Sequence, residues 1–178
     1  MKNVISKVIS AIFLIMLMIA FVGCGAQNDD VKEKAEVNEY YIDDGGTIHT
    51  ESGEIDILEC DIVYSIYAEE YVLAIEYEFI NKAAVPLCSQ NDWVLNIQLV
   101  QENEIGFENL MPTISPEEEK WLELEHNSSS IEVKPGNKIV AAEFYKLDNL
   151  DYDVSIVLLN ENLEESGMKT IDISSMSY

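Results

Sequence analysis

With 34 acidic residues against 10 basic ones, all of them lysine, this chain of 178 residues carries a formal net charge of −24. Nucleic-acid binding needs cationic groups that displace counterions from phosphates, so the balance argues against such a partner and sets the protein surface equally against anionic lipid headgroups. No GxSxG, HExxH, CxxC or glycine-rich phosphate loop occurs, which leaves the local signatures of common hydrolases, zinc enzymes and nucleotide binders unmatched, and no cofactor is expected.

At the N-terminus, Lys2 and Lys7 bracket a short cationic segment, and Val8 to Val22 is apolar apart from Ser10. This is the layout of a secretory signal peptide. As a helix it would span about 22 Å, less than the roughly 30 Å hydrocarbon core that a permanent anchor must cross. The run ends in Phe21-Val22-Gly23-Cys24, which resembles a bacterial lipobox. The resemblance implies a diacylglyceryl group on the Cys24 sulfur, cleavage before that residue, and retention at the membrane through the lipid. Two or more acyl chains give durable anchoring at about 0.8 kcal/mol per buried CH₂.

Cleavage would remove Lys2 and Lys7, leaving eight lysines against 34 acidic residues, a mature net charge of about −26. Residues 1–23 are thus assigned to the signal peptide. Residues 24–39 form the lipidated cysteine and an acidic tether, since GAQNDDVKEKAEVN holds little apolar surface to bury. Residues 40–178 have the size of one domain with a single core. Export permits a disulfide between Cys60 and Cys88, although Cys60 falls on an apolar face where a free thiol also packs well.

In the folded part, LECDIVYSIY places Leu58, Cys60, Ile62, Tyr64 and Ile66 on one strand face. YVLAIEYEFI places Leu73, Ile75, Tyr77 and Phe79 on one face and Glu76 and Glu78 on the other. A short connection makes these two an antiparallel hairpin. WVLNIQLVQ reads as a third strand, with Trp93, Leu95, Ile97 and Leu99 opposed to Asn96, Gln98 and Gln101. Pro135-Gly136 suits the centre of a type II turn joining Ile131–Val133 to Ile139–Tyr145, because proline fixes the first φ and glycine accepts a positive second one. Val154, Ile156 and Leu158 mark a further strand, and Ile171 with Ile173 a last edge strand. One helix is expected in ISPEEEKWLELEH, one or two turns long and inserted between sheets, with Ser115 as cap, Pro116 at its first position and Glu118 completing a capping box. Short strands with little helix indicate an all-β antiparallel sandwich.

Three motifs carry a family resemblance: LAIEYEFIN (Leu73 to Asn81), which ends in an aromatic-x-Asn step; IEVKPG (Ile131 to Gly136); and YKLDNLDYDVSI (Tyr145 to Ile156), with a Leu-Asp step before a strand. The chain resembles a family of small Ig-like domains of unknown function carried by lipoproteins of Gram-positive bacteria. It departs from that pattern at Ile80, where threonine is usual, and at Gln101-Glu102-Asn103-Glu104, which lacks the usual glycine of that turn. The resemblance implies an Ig-like sandwich and an extracytoplasmic, lipid-anchored location, and transfers no catalytic residue or ligand.

His49 and His126 stand in polar stretches with no nucleophile pattern beside them. The carboxylates Glu118 and Glu125 lie on a solvated acidic stretch that would not raise one pKa, as a glycosidase pair requires. Asp148, Asp151 and Asp153 are close in sequence and offer hard oxygen ligands, but lack the glycine and distal glutamate of an EF-hand loop. Trp121, Tyr40 and Tyr41 lie outside the clear strands and are the candidates for partner contact. The leading expectation is a non-enzymatic surface module that binds a protein or envelope component. The alternative is an acidic, calcium-type cation-binding lipoprotein.

The N-terminal reading has a direct check. Intact-mass measurement of the native protein should show acylation at Cys24, and Cys24→Ala should abolish both the added mass and membrane retention. Unchanged processing and retention in Cys24→Ala would remove the basis for a lipid anchor.

Overall fold

The computed structural model of the protein describes residues 40–176. The signal peptide, Cys24 and the tether therefore lie outside the described residues. Among those described, nine strands form two antiparallel sheets. The first, of five strands, has the order β1 (Tyr41–Ile42), β2 (Ile48–His49), β3 (Gly53–Ser65), β4 (Glu70–Asn81) and β7 (Lys138–Lys146). The second, of four, has the order β6 (Phe107–Asn109), β5 (Ile97–Glu102), β8 (Val154–Leu159) and β9 (Glu165–Ile171). Helix α1 (Ser89–Asn96) runs directly into β5, and α2 (Glu119–Ser130) precedes the Pro-Gly turn. The chain is an antiparallel β-sandwich.

The expected β3–β4 hairpin forms, from Gly53 opposite Asn81 to Ser65 opposite Glu70. A bulge between Ile57 and Glu59 shifts its register. Inserting one residue reverses which parity faces inward, so Ile55 and Ile57 before the bulge share the core with Cys60 and Ile62 after it. Leu58, read from sequence as in phase with Cys60, is instead exposed at the bulge. On β4, Leu73, Ile75, Tyr77 and Phe79 are wholly buried against Ile97, Leu99, Val154, Ile156 and Leu158 of the second sheet, as their alternation requires. A Cβ on Gly53 would strike the Phe79 ring and the Ile80 carbonyl, so the strand needs glycine there.

Half of the expected third strand is helix. Ser89, Asp92, Trp93 and Asn96 are the buried residues of α1, and their i, i+3, i+4, i+7 spacing is helical. Three of the four are polar, which hides the period in an apolar-only reading. Trp93 stacks on Tyr77 at 4.6 Å and donates its indole N–H to the Tyr145 hydroxyl at 2.8 Å. Leu95 is left exposed. Gln101, expected to face out, is fully buried: its amide N–H donates to the carbonyls of Asn149 and Tyr152, and its oxygen accepts from the backbone N–H of Asp148 and Asn149.

The second helix also differs from expectation. It is 12 residues long, begins at Glu119, and packs on the outer face of the five-stranded sheet rather than between sheets. The capping box does not form, because the Ser115 hydroxyl donates to the Glu125 carboxylate at 2.8 Å and Glu118 caps only by its extended backbone. Glu117 is committed elsewhere, accepting from Tyr67 N–H at 2.6 Å and from the Ser65 hydroxyl at 3.2 Å, which latches this segment to the β3–β4 turn. The helix then lays Trp121 over Val72, Ala74, Ala142 and Phe144, edge-to-face with the Phe144 ring at 5.9 Å.

The Pro135-Gly136 turn is present, with Gly136 at φ +76° and Asn137 N–H bonded to the Lys134 carbonyl at 3.0 Å. It is not a hairpin turn. Val133 bridges Leu87 instead of pairing with β7, and β7 pairs with β4. Asn81 forces this arrangement: fully buried at the end of β4, it donates from its amide to the carbonyls of Val85 and Val133 and accepts from Ala83 N–H. The segment before the turn is thereby held against the 82–87 loop, out of reach of β7.

The strand assignment makes a quantitative expectation. Phe79→Ala should cost roughly 3–5 kcal/mol through the cavity it leaves. Glu78→Ala loses only a partly exposed pair with Lys138 and should cost less than about 1 kcal/mol. Urea midpoints of the two variants measure the difference, and equal shifts would contradict the inward-outward assignment.

Candidate functional site

Two buried carboxylates stand out among the polar groups of the interior. Glu143 on β7 is 7% exposed and faces the core between Ala141 and Tyr145. It accepts from the Tyr77 hydroxyl at 3.3 Å and from the Gln90 amide at 3.4 Å, and Tyr77 in turn bonds the Ser89 hydroxyl at 3.1 Å. Burial pushes the Glu143 carboxyl above its usual range, partly offset by hydrogen bonds from Gln90, Ser128 and Tyr77, while nearby Glu125 adds to the rise. Asp92, 2% exposed, accepts from the Thr50 hydroxyl at 2.8 Å and from the Asn96 amide at 3.1 Å, and burial raises it too. These carboxylates are enclosed and spend their oxygens on neighbours that fix α1 to the sheets. Their arrangement is that of a structural network.

The sequence-selected residues are scattered. Trp121 is 2% exposed beneath α2 and so is not a contact residue: its ring is the apolar anchor of that helix. Tyr41 is exposed and stacks on His49 at 4.3 Å, while Tyr40 is half-buried and reaches Glu51 at 3.4 Å. His49 lies 3.3 Å from Asp43 and 3.6 Å from Glu54, a set of contacts that braces the β1–β2 hairpin. His126 is exposed on α2. Cys60 and Cys88 are both free thiols in this structure. Cys60 packs against the core on β3, where burial pushes its thiol up to about 11, and Cys88 precedes α1. Burial thus keeps the Cys60 thiol in its protonated, weakly nucleophilic form at neutral pH.

Asp148, Asp151 and Asp153 are all exposed, and no group of three or more His, Cys, Asp or Glu residues suited to a metal ion occurs among the described residues. The turn that carries them is shaped from within. Gln101 holds its backbone, the Asn149 side chain accepts from Asp151 and Tyr152 N–H, and Asp153 accepts from Ile173 N–H.

The surface feature that sequence reasoning missed lies on the outer face of the four-stranded sheet. Val100, Val157 and Leu159 point away from the core and floor a groove of about 480 Å³, walled by Phe107, Leu163 and Met168. Phe107 is 74% exposed and Met168 53%. The signal was present in VSIVLL, which is apolar at both phases: Val154, Ile156 and Leu158 fill the core, so Val157 and Leu159 must face elsewhere. On the outer face of the other sheet α2 covers Val72, Ala74, Ala142 and Phe144, whereas no described helix packs on this one. Concave, largely apolar and open, with Gln98 and Ser155 also in its lining, it is a candidate contact surface.

Comparison with known proteins agrees in fold and is silent on ligand. Residues 28–160 match the family described as Domain of unknown function (DUF5067), and the chain belongs to that family. The match starts inside the segment read as tether. Among solved structures, a candidate lipoprotein from Staphylococcus aureus is similar with a TM-score of 0.67 at 17% identity, over 76% of this chain and 92% of that one. A protein from Enterococcus faecalis is similar with a TM-score of 0.58 at 14% identity, over 72% and 90% of the two chains. At such identities the likeness extends to the fold alone. No curated protein matches.

The Glu143 network sets a pH dependence. A carboxyl whose folded pKa is raised binds its proton more tightly in the native state, so it contributes stability below its ordinary range, and that contribution is lost as pH rises from the ordinary value to the raised one. Glu143→Gln should therefore flatten the decline in urea stability across that window and gain on the parent as pH approaches neutrality. A profile parallel to the parent at every pH would show that Glu143 does not titrate as a buried acid.

Proposed function

We propose that the chain is an extracytoplasmic lipoprotein of Gram-positive type, held to the membrane through lipid on Cys24, whose Ig-like sandwich is a non-enzymatic binding module. The signal-like N-terminus and the likeness in fold to a candidate lipoprotein support the location. The observation that carries the binding role is the contrast between the two sheets: α2 covers part of one outer face, and the other presents exposed Phe107 and Met168 around a floor of part-buried Val100 and buried Val157, with no helix over it among the described residues. A sheet face kept apolar in a secreted, strongly charged domain is costly for solubility and is accounted for by a partner. The polar clusters are enclosed, so binding fits the geometry better than catalysis.

Photo-crosslinking on intact cells tests this reading. A diazirine side chain at Val100 should give a discrete adduct at the envelope, and one at exposed Leu122 on α2 should not. The same pattern from both positions, or no adduct at Val100, would remove the open face as the binding surface.

A further inference from the structure

The groove's surroundings are unusually one-sided in charge. Every charged residue from Ile97 to Asn109 is a carboxylate, as is every one from Asp148 to Asp172 apart from Lys169, and all these carboxylates are exposed. Lys169 is half-buried and its ammonium group donates to the Gly46 carbonyl at 3.1 Å, toward the β1–β2 turn. The other lysines with ionic partners serve the five-stranded sheet: Lys82, Lys120, Lys138 and Lys146 pair with Glu54, Glu59 and Glu76, Glu78, and Glu70. Among the described residues the acidic rim of the groove, Glu108 beside Phe107 and Glu165 beside the floor, has no ion pair: Glu108 accepts from the Asn103 amide, and Lys146, which lines the adjoining cleft, is paired with Glu70.

Resting on the reading that this face is the binding surface, we infer that its occupant is a basic polypeptide segment that presents apolar side chains between lysines or arginines. The apolar floor takes the aliphatic side chains, and the carboxylate rim takes the cations. A second copy of this chain would bring two acidic rims together, which costs rather than gains energy. Anionic lipid is repelled for the same reason. A neutral glycan usually stacks on aromatic platforms, and the aromatic lining of this groove is limited to Phe107. A cationic, amphipathic polypeptide satisfies both the floor and the rim. The attraction is screened over a Debye length of roughly 8–10 Å at moderate salt, so binding should weaken as salt rises.

Three synthetic peptides test this on the soluble domain: alternating Lys-Val, alternating Glu-Val and alternating Lys-Ser. The Lys-Val peptide should bind saturably, with NMR shift changes at Val100, Phe107, Val157 and Met168. Its Kd should rise roughly tenfold, about 1.4 kcal/mol, in Phe107→Ser/Met168→Ser, and also in Glu108→Gln/Glu165→Gln. These side chains are exposed, so the variants should fold, and an unchanged melting temperature checks that they do. Equal binding of Glu-Val would overturn the charge requirement, equal binding of Lys-Ser the apolar one, and shifts centred on α2 the location. Concentration-dependent shifts at the groove without peptide would mean that a second copy is the occupant. If Val100 crosslinks on cells while Lys-Val fails to bind, the surface stands and this inference falls.

Discussion

The Asn81 side chain is the constraint on which the sandwich depends. At the end of β4 it has no access to water, yet it meets the Val85 and Val133 carbonyls at 2.9 and 2.7 Å and Ala83 N–H at 2.8 Å. Its own backbone bonds Asn137 and Gly136. Three segments that would otherwise bury unpaired backbone groups are joined at one residue, and leaving any such group unpaired costs roughly 1–3 kcal/mol. The consequences run outward. Val133 is fixed against Leu87, Leu87 leads into α1, and α1 inserts Trp93 between Tyr77 and Tyr145. The asparagine of the aromatic-x-Asn step is therefore structural. A family resemblance centred on it transfers a fold because the residue organises one.

Elements built on simple alternation were legible in the sequence, and those built on buried polar side chains were not. Leu73, Ile75, Tyr77 and Phe79, and Val154, Ile156 and Leu158, lie at alternate positions and are strands with the expected inner faces. The Pro-Gly turn was readable from local chemistry, but its partner strand was not, since Asn81 acts across 52 positions to draw Val133 away. Helix α1 was missed because Ser89, Asp92 and Asn96 carry its inner face. The cap of α2 was missed because Ser115 and Glu117 bond distant groups. Even the missing turn glycine has a physical resolution: Asn103 accepts from Ile105 and Gly106 N–H, and Gly106 closes the β5–β6 turn three residues on.

Of the selected contact candidates, Tyr41 is exposed but lies on the five-stranded sheet, and Trp121 is buried. Lying outside a clear strand does not leave an aromatic free: Trp121 anchors α2 on Val72, Ala74, Ala142 and Phe144. The open face instead uses aliphatic off-phase positions, Val100 and Val157, which look like core residues when a strand is read for its stronger phase alone. Charge follows the same division. The lysines pair with glutamates on and around the five-stranded sheet, whereas among the described residues the rim carboxylates Glu108 and Glu165 of the four-stranded sheet have no lysine partner, Glu108 accepting only from the Asn103 amide.

In the free domain α2 shields part of one outer sheet face while the other lies open. Solvent paramagnetic relaxation of methyl groups, with a neutral gadolinium chelate and the purified soluble protein, measures this directly. The Met168 and Val100 methyls should broaden far more than those of Val72 and Ala74 beneath α2, with Met168 approaching the fully exposed Ile105. Equal protection on the two faces would mean that the groove is already covered in the free protein, and would contradict the division between a structural and a binding sheet.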